Sequence, residues 1–378
     1  MRKAVTLAPP AGILIRGPCA EGNGFQARLD ALGLASYTTT TVLPGNDGAL
    51  FHLKEVSAED LSPGADTTLL GEKLRRDKVG ITDDLEREIL LALMLSPVRF
   101  EFRSYEELAS AVRIRKNIVT AARKTMLAFD TSEAAERPGD CWGYSKGRGF
   151  TVLPGKSLIN ALRKATQPEV SGKLYDFSCY RATEYVILLG LAEELATCNP
   201  ALLARLQRQW ETRAIMSREF HEVFMIEYGS MDSPLPPKYY VPGDRLWFRN
   251  PDAPSSDITG YEGSWVFYLG GGLFTNFWKH NQPYTLTSKC LEIYHWRNGT
   301  YRDADGELRM NEATVDALVN VSLRDPKEVD RILRVMMRWR EPQGVYVAGG
   351  CIDTSREHPR AICPGAPDLV LPDGGDFL

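Results

Sequence analysis

The sequence has no excess of charge of either sign. Its 378 residues include 45 lysines and arginines against 49 aspartates and glutamates, a formal net charge of −4. A basic excess is the electrostatic signature of proteins that bind nucleic acid or anionic membranes. Neither kind of partner is therefore expected. With 43% hydrophobic and 25% charged residues, the chain is typical of a folded globular protein with a sizeable core.

The sequence also lacks paired cysteines. Its seven cysteines are an odd number, are widely spread and include no CxxC motif, so neither a disulfide framework nor a zinc ribbon is indicated. Cys351, His358 and Cys363 are too irregularly spaced to predict a zinc site. The stretch 149–157 resembles a phosphate loop, but five residues separate its glycines where that motif needs four. We expect no metal, no nucleotide or other cofactor, and a reducing compartment.

Long apolar runs are missing as well. The sequence contains no stretch of about 18 apolar residues, the length that a membrane-spanning helix needs. Pro9, Pro10 and Gly12 interrupt the apolar part of the N-terminal segment before it reaches the length of a signal-peptide core. We predict a cytoplasmic protein, and export by a route without a signal peptide stays open.

Changes in composition along the chain predict three parts. Residues 1–78, rich in Gly, Pro and Thr, are predicted to be an extension with one β-hairpin around a turn at 45–48. Residues 79–353 form the main domain, with a polar, glycine-containing insertion near 281–325. Residues 354–378 are Pro-rich and are predicted to be a tail without regular structure.

Helices precede strands in the main domain. Amphipathic patterns predict a helix after Asp83 and another behind a Ser104–Glu107 capping box, with a short strand between them. Later, residues 261–269 and 273–280 flank a triple-glycine turn as the two strands of a hairpin. The segment GVYVAGG at 344–350 predicts one more strand.

One cysteine stands directly before the most apolar stretch. Cys179 precedes the run from Tyr185 to Ala192, which predicts a buried helix, and Asp176 and Ser178 are typical N-cap residues. A thiol at a helix N-terminus meets unpaired N–H groups and the positive end of the helix dipole, which favour the thiolate. A nucleophile on such a helix, followed by a sheet, is the layout of papain-like cysteine enzymes. The alternative is an inert buried cysteine.

Four blocks of the sequence resemble an enzyme family. Their order and approximate spacing match the bacterial protein-glutamine gamma-glutamyltransferases, the small calcium-independent transglutaminases of spore-forming bacteria. The blocks are SPVRFEF with SYEELASAVRIRKNIVTAARK, LYDFSCYRATEYVIL, YYVPGDRLWFRNP and GYEGSWVFYLGGGLF. The resemblance covers residues 83–350 apart from 281–325. It implies an α+β, papain-like (NlpC/P60-type) fold with the nucleophile helix packed on an antiparallel sheet. It also implies a Cys179 nucleophile that forms glutamine–lysine isopeptide bonds.

Three positions depart from the family pattern. Such enzymes carry a Glu directly before the cysteine, a Glu in the strand block and a His further along, where this sequence has Ser178, Ser264 and Asn276. Residues two or four apart on a strand point to the same face. Glu262 lies two residues before Ser264 and His280 lies four beyond Asn276, so both are predicted to reach the cleft if the strands continue.

We therefore predict Cys179, Glu262 and His280 as the catalytic residues. His221, in an amphipathic segment, and His295, in the insertion, are weaker candidates. The predicted reaction is acyl transfer through a cysteine thioester, from a glutamine-containing protein or other acyl donor to a primary amine. Deamidation by water, amide-bond formation on a small-molecule or carrier-bound acyl group, and an inactive papain-like binding or structural protein remain alternatives. The oligomeric state is open.

Overall fold

The computed structural model describes residues 11–17, 19–76, 84–129, 136–215, 217–341, 349–363, 365 and 368–372. The α-helices in these residues are α1 Cys19–Ala31, α2 Glu55–Leu61, α3 Leu70–Arg76, α4 Asp84–Met94, α5 Tyr105–Lys124, α6 Leu158–Thr166, α7 Pro168–Ser171, α8 Cys179–Cys198, α9 Pro200–Thr212, α10 Ser217–Phe224, α11 Ala253–Ser256, α12 Leu286–Gly299, α13 Glu312–Ser322 and α14 Pro326–Met336. The strands are β1 Ile13–Arg16, β2 Thr38–Val42, β3 Gly48–Leu53, β4 Phe100–Phe102, β5 Ala128–Phe129, β6 Trp142–Ser145, β7 Gly149–Val152, β8 Asp176–Phe177, β9 Met225–Tyr228, β10 Arg245–Arg249, β11 Gly263–Gly270, β12 Leu273–Phe274, β13 Tyr284–Thr285, β14 Thr300–Arg302, β15 Leu308–Met310 and β16 Arg356–Pro359.

Helix α8 lies at the centre of the largest hydrophobic cluster. It begins at Cys179, as predicted, and the hydroxyl of its N-cap residue Ser178 accepts a hydrogen bond of 3.2 Å from the N–H of Arg181. Because α8 is apolar on all sides, it must be covered all round. Helices α5 and α6 and strand β11 pack against it. At Gly190 a Cβ would lie only 2.7 Å from Cγ1 of Ile118, so a glycine there allows α5 to approach closely.

A six-stranded sheet lies between α8 and the helices of the 281–336 region. Its order is β13-β12-β11-β10-β16-β9, and all its neighbouring strands are antiparallel. Side chains alternate between the two faces of β11. Phe267 and Leu269 join the cluster around α8, whereas Val266 and Tyr268 join the cluster around α12 and α14. The predicted α+β arrangement, with the Cys179 helix packed on an antiparallel sheet, is confirmed.

A second sheet joins the N-terminal region to the rest of the chain. The predicted hairpin is present as β2 and β3, and the sheet order is β2-β3-β1-β4. Strand β1 pairs in parallel with β4, which follows α4. Ile13, Phe25 and Phe51 also share a hydrophobic cluster with Ile89 and Leu93 of α4. Residues before 78 therefore share a sheet and a core with residues beyond it.

Three details of the predicted secondary structure need comment. Strand β12 ends at Phe274, so the prediction of a strand over 273–280 is wrong beyond that residue. Residues 356–359 form strand β16 inside the large sheet, so the prediction of an irregular tail from 354 is wrong there. The strand predicted at 344–350 lies, for residues 344–348, outside the described part of the chain.

The predicted insertion near 281–325 is well structured. It contains β13, α12, the β14–β15 hairpin and α13, and α12 begins with a capping box between Thr285 and Ser288. Cys290, Leu291 and Ile293 of α12 are buried in the cluster beneath the sheet. Among the described residues, no helix has both the length and the apolar character needed to cross a membrane.

Candidate active site

Cys179 lies where two cavities meet. One has a volume of about 260 Å³ and the other about 320 Å³. Cys179, Phe129, Gly260 and Gly263 line both of them. Gly260 has a φ of +89°, and a Cβ there would lie 2.3 Å from Cζ of Phe129, so the ring of Phe129 packs directly on the glycine backbone. Cys179 therefore belongs to the walls of both cavities.

The smaller cavity has a charged wall. Its charged lining residues are Lys279 from the loop before β13, Lys289 and Glu292 from α12, and Glu312 and Asp316 from α13. The Nζ of Lys289 lies 2.6 Å from Oε2 of Glu292, and the Nζ of Lys279 lies 2.5 Å from Oδ2 of Asp316. The hydroxyl of Tyr261 donates to Oε1 of Glu312 at 2.7 Å. We call this the charged cavity.

The larger cavity has an aromatic wall. Tyr180, Trp247 and Trp265 line it together with Phe129. The rings of Trp247 and Trp265, on the paired strands β10 and β11, are stacked with centroids 6.1 Å apart. Tyr180 meets Trp265 edge to face at 5.3 Å. We call this the aromatic cavity, since its wall suits an apolar or extended substrate segment better than a charged one.

The surroundings of the thiol act on it in opposite directions. Burial is the largest effect and raises the pKa of Cys179 above its ordinary value. Hydrogen bonds from the backbone N–H groups of Trp265 and Tyr180, and the positive charge of Lys289, lower the pKa, while the carboxylate of Glu262 raises it slightly. The backbone N–H groups at the helix N-terminus therefore favour the thiolate, as expected. The N–H groups are present, but burial outweighs them.

Of the three positions at which the sequence departs from the family pattern, two line a cavity together with Cys179. Ser178 lines the aromatic cavity and its hydroxyl is used as the N-cap of α8. Ser264, on β11 opposite Phe248, lines the charged cavity. Asn276 instead holds a loop together, since its Nδ2 donates to the carbonyl of Gln282 at 3.0 Å and its Oδ1 accepts from the N–H of Trp278.

The two predicted acid/base residues are placed differently. Glu262 is exposed in the turn before β11 and lines the aromatic cavity with Cys179. Its Oε2 accepts a hydrogen bond of 3.0 Å from the N–H of Gly260. His280 is exposed in the loop after β12, contacts Nδ2 of Asn281 at 2.8 Å, and lines neither cavity. The strand that was expected to bring His280 to the cleft ends six residues earlier.

The weaker histidine candidates lie elsewhere. His295 on α12 is buried, with its Nε2 2.8 Å from the hydroxyl of Ser322 on α13. The Nδ1 of His221 on α10 lies 3.1 Å from Oε1 of Glu357, and the other carboxylate oxygen, Oε2, accepts a hydrogen bond from the buried Nε of Arg245. The guanidinium of Arg245 in turn lies 5.2 Å from the ring centroid of Tyr180. His221 therefore belongs to a network behind the aromatic wall rather than to either cavity.

The residues of α12 that line the charged cavity were not predicted from the sequence. Lys289, Glu292 and Trp296 are spaced i, i+3 and i+7, which places them on one face of α12. All three line the charged cavity. A mixed face of a lysine, a glutamate and a tryptophan in a polar segment was available as a signal. The polar composition of the segment, which is typical of an insertion, hides this face.

Comparison with known proteins identifies the family of this chain. The family model described as "Protein-glutamine gamma-glutamyltransferase" matches residues 67–357, more than three quarters of the chain. The chain belongs to the protein-glutamine gamma-glutamyltransferase family. Within the matched region lie Cys179, both cavities and the strands that form them. The fold is papain-like, as family membership indicates and as the packing of the helix that begins at Cys179 on an antiparallel sheet agrees.

Individual relatives are more distant. The chain is 26% identical over 196 residues to a protein-glutamine gamma-glutamyltransferase of Bacillus mycoides (strain KBAB4). That match spans 50% of this chain and 64% of the relative, so the chain covers less than two thirds of that protein's length. The transglutaminase from Geobacillus stearothermophilus, without its C-terminal extension, is similar at 20% identity and a TM-score of 0.39, over 56% of this chain and 97% of that one.

Proposed function

We propose that this protein transfers acyl groups through a thioester on Cys179. The observation that carries the proposal is the position of Cys179, at the N-terminus of α8 and in the walls of two cavities. The backbone N–H groups of Tyr180 and Trp265 act to lower the pKa of its thiol. Attack of the thiolate on a carboxamide produces an oxyanion, which such N–H groups stabilise. Ammonia then leaves, and a primary amine attacks the thioester.

The glutamine side chain of a protein is the proposed acyl donor, and lysine or another primary amine is the acceptor. The two cavities give each substrate a side of its own. The wall of the charged cavity has three carboxylates, Glu292, Glu312 and Asp316, against two lysines, and this excess of negative charge attracts a cationic amine. The rings of Trp247 and Trp265 offer an apolar surface to a glutamine-bearing segment in the aromatic cavity.

Glu262 is the proposed general base. It lines the aromatic cavity with Cys179, and the N–H of Gly260 holds its carboxylate in the turn. A carboxylate there can take the proton of the thiol and return it to the departing ammonia. His280 is a weaker candidate than Glu262, since it lies in an exposed loop and lines neither cavity.

The proposal is tested by following both products of the reaction. The protein is incubated with a glutamine-rich protein and a fluorescent primary amine, and amine incorporation and ammonia release are measured together. Equal amounts of both products support transfer, whereas ammonia without incorporation means deamidation. Cys179→Ala should abolish both products. Cys198→Ala is the matched control, since Cys198 is half-buried at the other end of α8 and lines neither cavity, and it should keep the activity.

The competing function is that of an inactive papain-like binding or structural protein. The specific observation that favours it is the presence of Ser178, Ser264 and Asn276 at the family's acid/base positions. It predicts that Cys179 reacts with iodoacetamide no faster than Cys198 and that neither product forms. Amide-bond formation on a small or carrier-bound acyl group predicts no product from glutamine proteins but a reactive Cys179.

A further inference from the structure

We propose that the ammonium of Lys289 on α12 is the counter-charge that stabilises the thiolate of Cys179. The proposal deepens, and rests on, the acyl transfer proposed above. In it, the S–H bond of Cys179 breaks, the proton leaves to a base or to water, and the thiolate stays beside a fixed positive charge. No oxidant or reductant takes part.

The geometry holds Lys289 in one place. Lys289 and Cys179 line the same cavity, and the lysine is only 2% exposed. Its Nζ lies 2.6 Å from Oε2 of Glu292 and 4.1 Å from the ring centroid of Tyr284. The hydroxyl of Tyr284 donates to the other oxygen of Glu292 at 2.8 Å. Glu292 and Tyr284 are therefore positioning residues that fix the ammonium at the cavity wall.

A buried ion pair of this kind is not explained by stability alone. Moving two charges out of water costs more than their attraction returns in many proteins, and apolar side chains of similar volume often stabilise equally well. The neighbouring residues of α12, Cys290, Leu291 and Ile293, are apolar and buried. A charged residue at 289 therefore calls for a role that an apolar residue cannot fill.

The chemistry of the site supplies that role. A buried thiol needs a nearby cation to ionise, and in most cysteine enzymes a histidine provides it. Among the described residues, no histidine lines either cavity. The charged groups that face the two cavities are Glu262 in the turn before β11, Lys279 before β13, Lys289 and Glu292 on α12, and Glu312 and Asp316 on α13.

Only one of the two lysines is placed to act on the thiol. Both lysines are paired with a carboxylate, but the side chain of Lys279 is 40% exposed, so solvent screens its charge. Lys289 is buried, and its charge opposes the effect of burial on the pKa of Cys179. A positive charge acts over a longer range where water is excluded. Of the two lysines that line the charged cavity, Lys289 is therefore the one whose charge can act on the Cys179 thiolate.

The test is the rate at which iodoacetamide alkylates Cys179 in the substrate-free protein, measured by peptide mass spectrometry as a function of pH. Lys289→Met should slow alkylation at pH 7 about tenfold, the effect of one pKa unit, and move the pH midpoint upward. Lys289→Arg should restore most of the rate. Lys289→Gln, which can still donate a hydrogen bond to Glu292, serves as a second neutral variant if Met disturbs α12. Circular dichroism checks that each variant is folded.

Lys279→Met is the matched control, since it removes a positive charge from the same cavity wall. It should slow alkylation by less than twofold. An equal slowing by Lys279→Met, or an unchanged pH midpoint in both neutral variants at position 289, would overturn the role of Lys289 while leaving acyl transfer intact. A wild-type Cys179 that reacts no faster than Cys198 would overturn both proposals. The first failure leaves Cys179 more reactive than Cys198 and the second does not, so the two failures are distinguishable.

Discussion

Replacing Glu357 with Gln is expected to destabilise the protein by about 3 to 5 kcal/mol, the usual cost of breaking a buried ion pair by removing one partner. Glu357 on β16 and Arg245 on β10 are directly opposite each other in the large sheet. Arg245 is completely buried, and its Nε donates to Oε2 of Glu357. The neutral amide would leave the guanidinium inside the protein without a counter-charge.

The same change should reach the candidate site. The guanidinium of Arg245 lies 5.2 Å from the ring centroid of Tyr180 and 5.0 Å from that of Trp265. Both rings form the wall of the aromatic cavity. A guanidinium that moves toward water would carry these rings with it, so the affinity for a glutamine substrate is expected to fall together with stability.

Urea unfolding followed by far-UV circular dichroism measures the loss, with the double variant Arg245→Met, Glu357→Met as control. The double variant should lose much less than Glu357→Gln, because it leaves no unpaired charge. Burial raises the pKa of Glu357, but His221 and Arg245 outweigh it and hold the pKa below its ordinary value. The contribution of Glu357 to stability is therefore present above about pH 4.3 and is lost as the pH falls through the lower folded-state pKa. A loss below about 1 kcal/mol for Glu357→Gln, or a difference from wild type that persists unchanged into acid, would refute this reasoning.

Four further predictions concern the site and its support. Glu262→Gln should lower kcat about 10² to 10⁴-fold and Ser264→Ala much less; the reverse order in steady-state kinetics would exclude Glu262 as the base. Gly260→Ala, which places a Cβ 2.3 Å from the ring of Phe129 at a φ of +89°, should cost about 1 to 3 kcal/mol in urea unfolding; an unchanged midpoint would contradict the close contact. Ser178→Ala should cost about 1 kcal/mol through the lost N-cap, and Ser178→Asp should recover it; equal stability of the three proteins would argue against that cap. Deletion of residues 1–78 should make the protein insoluble because it uncovers the apolar face of α4; a soluble and more active fragment would indicate an inhibitory segment instead.

Local signals in the sequence were sufficient for the elements around Cys179. The N-cap at Ser178 and the apolar run behind it specify where α8 begins, and both depend only on residues within a few positions of each other. The same holds for the β2–β3 hairpin and for Ser104, whose hydroxyl accepts from the N–H of Glu107 at 3.1 Å. The reciprocal half of that capping box differs, since Glu107 accepts from the N–H of Arg103.

Long-range contacts were beyond local signals. Nothing near β1 in the sequence indicates that it pairs with β4, or that Arg356–Pro359 completes the large sheet next to Arg245–Arg249. The position of Lys289 in the wall of the same cavity as Cys179 likewise depends on the packing of α12 beneath the sheet. The prediction that His280 reaches the cleft failed for a local reason. The two-residue period holds only within a strand, and β12 ends at Phe274.

The most direct test of the central claim is the mass of the acyl-enzyme. The protein is incubated with a short glutamine-containing peptide in the absence of any amine, quenched in acid and digested, and every cysteine-containing peptide is analysed by mass spectrometry. We expect an adduct on Cys179 with the mass of the peptide less one ammonia, sensitive to hydroxylamine and absent from Cys179→Ala. Amine incorporation that proceeds without such an adduct, or an adduct on Cys198 instead, would contradict the central claim.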